Sequence, residues 1–232
     1  MQTRRVITTV AAAARWIDKT GLALLFPKAD VVLPSLWEQV TGLQHTDWNA
    51  EGINFLWWAK DVLPDEGRAV VGKHLARSSS CVAPRLLPLL VAANGEPMDG
   101  DRVVETIREA GPLTSPQIRD LTGMTKKEVD RSIFQGHRQL VLTNAFLVEE
   151  GSTWGTLAHD LVARKWKVPK RLPPREDARR ELAEIVLRQA GELTAADLAG
   201  VFSWRRKESA GILDEIAEAE DADGFTLYAP RR

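Results

Sequence analysis

Cysteine is nearly missing from this chain: Cys81 is the single one in 232 residues. A lone thiol excludes an internal disulfide framework and any zinc site built on cysteine pairs. Long apolar runs are missing as well, and none approaches the roughly 18–20 residues that span a bilayer. The stretch Val6 to Ala14 behind Arg4-Arg5 imitates a secretory leader, but Thr8 and Thr9 interrupt it and Arg15 and Asp18 follow. It reads as an amphipathic helix, and a cytoplasmic protein is expected. Net charge is also small, −1 at pH 7, which argues against indiscriminate coating of nucleic acid. What is present, 44% apolar and 27% charged residues, suits real cores under a soluble surface.

The most informative positive feature is an internal echo. Ile107-Arg108-Glu109-Ala110-Gly111-Pro112-Leu113-Thr114 returns as Leu187-Arg188-Gln189-Ala190-Gly191-Glu192-Leu193-Thr194, an offset of 80 residues. The same offset lays Ile118 on Leu198, Leu121 on Val201, Lys126-Lys127-Glu128 on Arg206-Lys207-Glu208, and Ile133 on Leu213. Self-similarity of this kind decides architecture before single motifs do. Each copy spells a helix, a break, a short helix, a second break and a third helix with a basic start, which is a helix-turn-helix. Thr114-x-x-Gln117 and Thr125-x-x-Glu128 are capping boxes, each opening a helix, and Leu113 with Ile118 forms a hydrophobic staple. Val129, Ile133 and Leu140 take the core at helical spacing.

After the third helix of the first copy, Leu140 to Glu149 and Trp154 to Ala158 alternate as strands around Glu150-Gly151-Ser152-Thr153. A hairpin there makes a winged helix. In the second copy the third helix is expected from about Arg205 to Ala219, leaving only Gly224 to Tyr228 as a stub of wing. The fold expected is α+β and mostly helical: tandem winged helix-turn-helix domains behind an N-terminal mixed α/β module. The boundaries are 1–97 for the mixed module, 98–170 for the first winged helix and 171–232 for the second. Asn94-Gly95-Glu96-Pro97 marks the first break and Lys170 to Pro174 the linker. Within 1–97, helices are expected from Thr9 to Lys19, Pro34 to Gly42, Asn54 to Asp61 and Pro84 to Ala93, with strands at Leu22–Phe26 and Arg68–Leu75. Self-similarity there is too weak to claim a third helix-turn-helix.

Charge is unevenly spread. Residues 1–110 hold 12 basic against 13 acidic residues, 111–175 hold 11 against 6, and 176–232 hold 8 against 13. The positive excess falls on the first winged helix, the footprint expected of phosphate contact. Lys126 and Lys127 open its third helix and suit phosphates, helped by the helix dipole. Arg131, Gln135 and Arg138 remain for base edges in a groove once core positions are removed. The wing offers Trp154 to the backbone, and Arg164, Lys165 and Lys167 flank Trp166, which serves equally well as a core anchor. The second copy keeps Arg205, Arg206 and Lys207, but Asp214, Glu215, Glu218 and Glu220 would repel a phosphate backbone. That copy is assigned to end-on phosphate contact or, preferably, to packing or a homodimer contact.

Other chemistry is poorly supported. Gly67-x-x-x-x-Gly72-Lys73 imitates a phosphate-binding loop, but His74 replaces the Ser or Thr that holds magnesium, and a strand follows where a helix belongs. His45, His74, His137 and His159 are scattered with no two at ligand spacing, so no metal and no cofactor are expected. Asp47, Asp61, Asp65, Glu66 and Gln44 near the tryptophan-rich stretch Trp48 to Trp58 have the chemistry a glycosylase uses, but solvated loop acids are the commoner case.

Arg5-Val6, Phe26-Pro27, Leu33-Pro34-Ser35-Leu36, Trp58-x-Lys60-Asp61-x-Leu63-Pro64 and Gly72-Lys73, taken in order, resemble AlkZ-related proteins. These sit within the broader YcaQ-like group of winged-helix DNA glycosylases. The resemblance runs through most of the chain and implies double-stranded DNA as partner and excision of alkylated or crosslinked bases as the associated activity. The chain is shorter than the characterised glycosylases, and it has no counterpart of their Gln-x-Gln or Gln-x-Asp motif: Gln39 and Gln44 are five apart. No catalytic residue is therefore carried over. Three functions stay open: a noncatalytic DNA-binding protein with a role in repair, a DNA glycosylase, and a winged-helix scaffold for protein interaction.

Overall fold

The computed structural model describes residues 6–147, 156–222 and 225–231. The first segment runs α1 (Val10–Thr20), β1 (Leu22–Leu24), α2 (Leu36–Thr41), α3 (Ile53–Asp65), β2 (Val70–Leu75) and β3 (Ser78–Val82). Thr9 caps α1 by accepting from the Ala12 N–H at 3.2 Å, and Gly21, at φ 88°, ends it. Ser35 and Glu38 form a capping box on α2. A short 3-10 turn, Pro84–Leu86, leads into α4 (Leu87–Asn94). This helix is apolar all round, and it is buried against a later helix, as such helices must be.

The second segment runs α5 (Arg102–Ala110), α6 (Ser115–Thr122), α7 (Lys126–Arg138), β4 (Leu142–Leu147), β5 (Thr156–Leu161) and the single turn α8 (Val162–Lys165). Both expected capping boxes are formed. The third runs α9 (Arg175–Ala190), β6 (Leu193–Thr194), α10 (Ala195–Phe202), α11 (Arg206–Ile216), β7 (Ala217–Ala222) and β8 (Phe225–Pro230). Thr194 and Asp197 form its matching capping box.

Strand order shows one plan used three times. The sheets are ordered β1-β3-β2 and β6-β8-β7. In the second segment Leu113 bridges His159 of β5, which pairs with β4. In each case a strand after the first helix meets the last strand of a hairpin that follows the third helix. The first segment therefore repeats the topology without repeating the residues.

Two sequence expectations change. The helix expected from Arg205 to Ala219 stops at Ile216, and Ala217–Ala222 is a strand paired with β8 along its whole length. Alanine and glutamate favour helix locally, but the β8 ladder satisfies this backbone and buries Ala217, so tertiary pairing wins. The second hairpin is thus no stub. Leu140, expected to continue the core stripe of α7, lies beyond the helix at φ 56°. It packs in a different core from Val129 and Ile133.

Those two cores are unequal. One cluster joins the first and third segments, running from Ile17, Leu22, Trp37 and Leu56 to Val186, Leu198, Leu213 and Tyr228. The other is private to the second segment: Val103, Val104, Ile107, Leu113, Ile118, Val129, Ile133 and Leu142. The α4–α9 seam carries polar ties as well, since the Arg179 Nε donates to the Ala93 carbonyl at 3.1 Å. Strand β2 touches all three segments, packing on α7, β4 and α10.

Candidate nucleic-acid interface

Helix α7 is divided by what covers it. Its first turns carry Lys126, Lys127 and Arg131 into solvent, and none of the three makes an ion pair among the described residues. Its second half lies against β2 and β4. Gly136 permits this approach, because a Cβ there would sit 2.6 Å from Leu142 Cδ1. Gln135 and Arg138 are consequently half-buried and border a cleft of about 210 Å3 with Arg77, Asn94, Arg179 and Trp204. Phe134 carries two cations: Lys73 Nζ lies 5.8 Å and Arg138 Cζ 5.9 Å from its ring centre.

A second pocket, of about 400 Å3, is lined in part by Phe134. Lys73, Ser79, Ser115, Lys126, Asp130 and Asn144 supply its polar wall. His137 and His159 also line it, as members of a row of three histidines. His74 Nδ1 donates to the His137 carbonyl oxygen at 2.8 Å. His137 Nε2 lies 3.3 Å from His159 Nδ1, and His159 Nε2 lies 3.4 Å from Ser115 Oγ. The backbone N–H of Lys73 points at His137 Nδ1, 3.4 Å away. Gly72 makes the row possible: a Cβ there would stand 2.5 Å from His137 Nδ1 and nearer still to His74 Nε2.

Burial keeps all three rings neutral. It lowers His74 and His159 to about 4 against an ordinary 6.5, and it holds His137 well below that value, aided by the other two rings and Lys73. Among the described residues no group of three or more His, Cys, Asp or Glu is placed to hold a metal ion. The histidine row was invisible in the sequence, since its bonded members stand 63 and 22 positions apart. Lys73 left a weak signal, one cation inside the largely apolar run Ala69 to Leu75.

The other expected residues fall in different places. Arg164 is committed to structure: it pairs with Asp160 at 2.6 Å and donates to the Ile107 and Arg108 carbonyls at 2.7 and 3.2 Å. It therefore closes the C-terminal end of α5, where unpaired carbonyls favour a cation. Lys165 is half-buried and Lys167 exposed, while Trp166 between them is a buried core residue. Trp154 lies outside the described residues. Arg205, Arg206 and Lys207 are exposed at the start of α11. Two of the four acids behind them are occupied, Asp214 accepting from the Tyr228 hydroxyl at 2.9 Å and Glu215 pairing with Arg180 at 3.0 Å, while Glu218 and Glu220 are exposed on β7. Near the tryptophans, Asp61 pairs with Lys60 and Glu66 with Arg68, both at 2.5 Å.

Comparison with known proteins agrees with this architecture. Superposition on the DNA glycosylase AlkZ of Streptomyces sahachiroi gives a TM-score of 0.57 at 12% identity, covering 99% of this chain and 66% of that one. The chain thus spans a little under two thirds of that glycosylase, and at such identity the likeness is one of fold. The DIP2311 protein from Corynebacterium diphtheriae aligns over 85% of this chain and 39% of its own, at 17% identity and a TM-score of 0.26. Among curated proteins, none matches this chain. The family model described as AlkZ related matches residues 7–199, and the chain belongs to the AlkZ-related family.

Proposed function

We propose that this protein binds double-stranded DNA through winged helices in tandem, in the service of DNA repair. The observation that carries this reading is the start of α7, where Lys126, Lys127 and Arg131 stand exposed and without ion-pair partners among the described residues. The neighbouring Lys73 adds a fourth cation at the mouth of the adjoining pocket. Clustered cations on a third helix after two capped breaks are what phosphate contact requires. In this reading Lys126 and Lys127 hold phosphates and Arg131 enters the groove. Gln135 and Arg138, already half-covered by β2, reach bases only along the rim of the cleft. Lys165, Lys167 and the Arg205-Arg206-Lys207 cluster add phosphate contacts, and the third segment also packs against the first.

A titration of fluorescent duplex against the protein at several salt concentrations tests this. Lys126→Glu with Lys127→Glu is expected to weaken binding at least tenfold and to flatten the salt slope by about two. Unchanged affinity and slope would sink the reading and favour a protein-interaction scaffold. A second reading, base excision, draws on the fold shared with a DNA glycosylase. It predicts release of a modified base from alkylated or crosslinked duplex, measured in the same tubes. No release with intact binding leaves the noncatalytic form.

A further inference from the structure

We propose that the pocket between β2, α6, α7 and the β4–β5 hairpin is a phosphate clamp. In it Lys73, Lys126 and the Ser115 hydroxyl grip one phosphodiester of a nucleic-acid backbone. The source of the phosphate rests on the DNA-binding reading above, whereas the anion chemistry stands on the pocket itself.

The histidine row sets the direction of the hydrogen bonds. The Lys73 N–H faces His137 Nδ1, so that nitrogen presents a lone pair and the proton sits on Nε2. His137 Nε2–H then donates to His159 Nδ1, which places the proton of His159 on its own Nε2, donated to Ser115 Oγ. A neutral imidazole has one donor and one acceptor, so a single backbone amide orders His137, His159 and Ser115, while the His137 carbonyl sets the proton of His74 on Nδ1. Ser115 therefore accepts from His159 and has its own proton left to give. This polarity is the reverse of a nucleophilic serine, whose proton the histidine takes. The pocket is arranged to donate.

Its charge has the same sense. Among the described residues Lys73 and Lys126 make no ion pair, and Asp130 is the single carboxylate among those that line the pocket. With the histidines neutral, the described lining is net positive. The Asn144 amide and Ser79 hydroxyl supply further N–H and O–H groups. Lys73 is the one exposed residue of β2, with buried neighbours on both sides, and its ammonium rests over Phe134. The strand register thus fixes where that charge stands before any ligand arrives, which limits the ordering cost of binding.

The test is a nuclear magnetic resonance titration of the full chain, reading the histidine ring nitrogens, first with inorganic phosphate and then with a short duplex. The wild type is expected to hold the His159 proton on Nε2 and to show a saturable shift of His159 with phosphate. Ser115→Ala and Lys73→Ala are each expected to weaken phosphate binding about tenfold, the loss of one charge-assisted contact. Ser115→Ala should still fold, because Thr114 and not Ser115 caps α6, at a cost of the bond that His159 Nε2–H gives to Ser115. On duplex, Lys73→Ala should reduce the salt slope by about one. A His159 proton on Nδ1, no saturable shift with phosphate, or variants that bind phosphate as well as the wild type would each overturn the clamp. Duplex binding that responds to Lys126→Glu with Lys127→Glu but ignores Ser115 and Lys73 overturns the clamp and leaves the DNA reading standing. Phosphate binding with the expected variant losses, but no duplex binding, keeps the clamp, assigns it a free phosphate and removes the DNA reading.

Discussion

Acidification should destabilise this protein well above the range in which carboxylates titrate, and the histidine row sets the size of the effect. His74 and His159 are lowered from 6.5 to about 4 by burial. A lowered folded value means that the unfolded chain binds the proton first. Stability is therefore whole above pH 6.5 and falls as pH drops from there towards 4. Linkage over that window gives about 2 kcal/mol lost per ring between pH 8 and 5. Two rings lose about 4 kcal/mol, and His137, lowered in the same sense, adds to the loss. Against a typical stability of about 5–15 kcal/mol, that is a large share. Urea unfolding at pH 8, 7, 6 and 5 measures it, with ring resonances followed in parallel. A change below about 1 kcal/mol over the series, or ring titrations centred near 6.5, would show that the rings are hydrated and that the row is not the closed structure described.

Three other perturbations check separate parts of the structure. Gly72→Ala drives a Cβ against His74 and His137 and should cost about 1–3 kcal/mol. Gly200→Ala, in α10 with nothing within 4 Å of its Cβ, should add about 0.5–1 kcal/mol; both are read by urea midpoints, and equal effects would refute the packing at β2. Thr125→Ala removes the cap of α7 and should cost about 0.5–2 kcal/mol, with thermal unfolding as the measure. Trp204→Phe deletes the indole N–H that donates to Asn94 Oδ1 at 2.5 Å. The expected loss is about 1–3 kcal/mol, and calorimetry showing none would mean that water replaces the bond.

Local signals were legible where neighbouring residues settle the outcome. The capping boxes at Thr114 and Thr125 formed as read, because each bond closes within three positions. The 80-residue echo located two segments with the same order of helices, since matching core positions demand matching helices. The first segment repeats the same topology with different residues, so sequence identity carried no trace of it. Ala217 to Ala222 was misleading for a related reason: its composition favours helix, and only the distant β8 makes it a strand. Arg164 looked like a free cation because its partners, Ile107 and Arg108, lie 57 and 56 positions away.

By itself, the sequence determined the family, the helix starts, the two-copy register and the basic character of 111–175. These depend on contacts a few residues long or on direct likeness between segments. The tertiary structure alone decided which face of α7 stays open, which cations are spent on packing, and that three scattered histidines share one row beneath Lys73. The open face of α7 and the histidine row depend on β2 running across α7 with no side chain at Gly72, and Arg164 is spent where β5 and α8 meet the end of α5. A close approach of that kind is settled by backbone geometry far along the chain, where residue spacing carries no information.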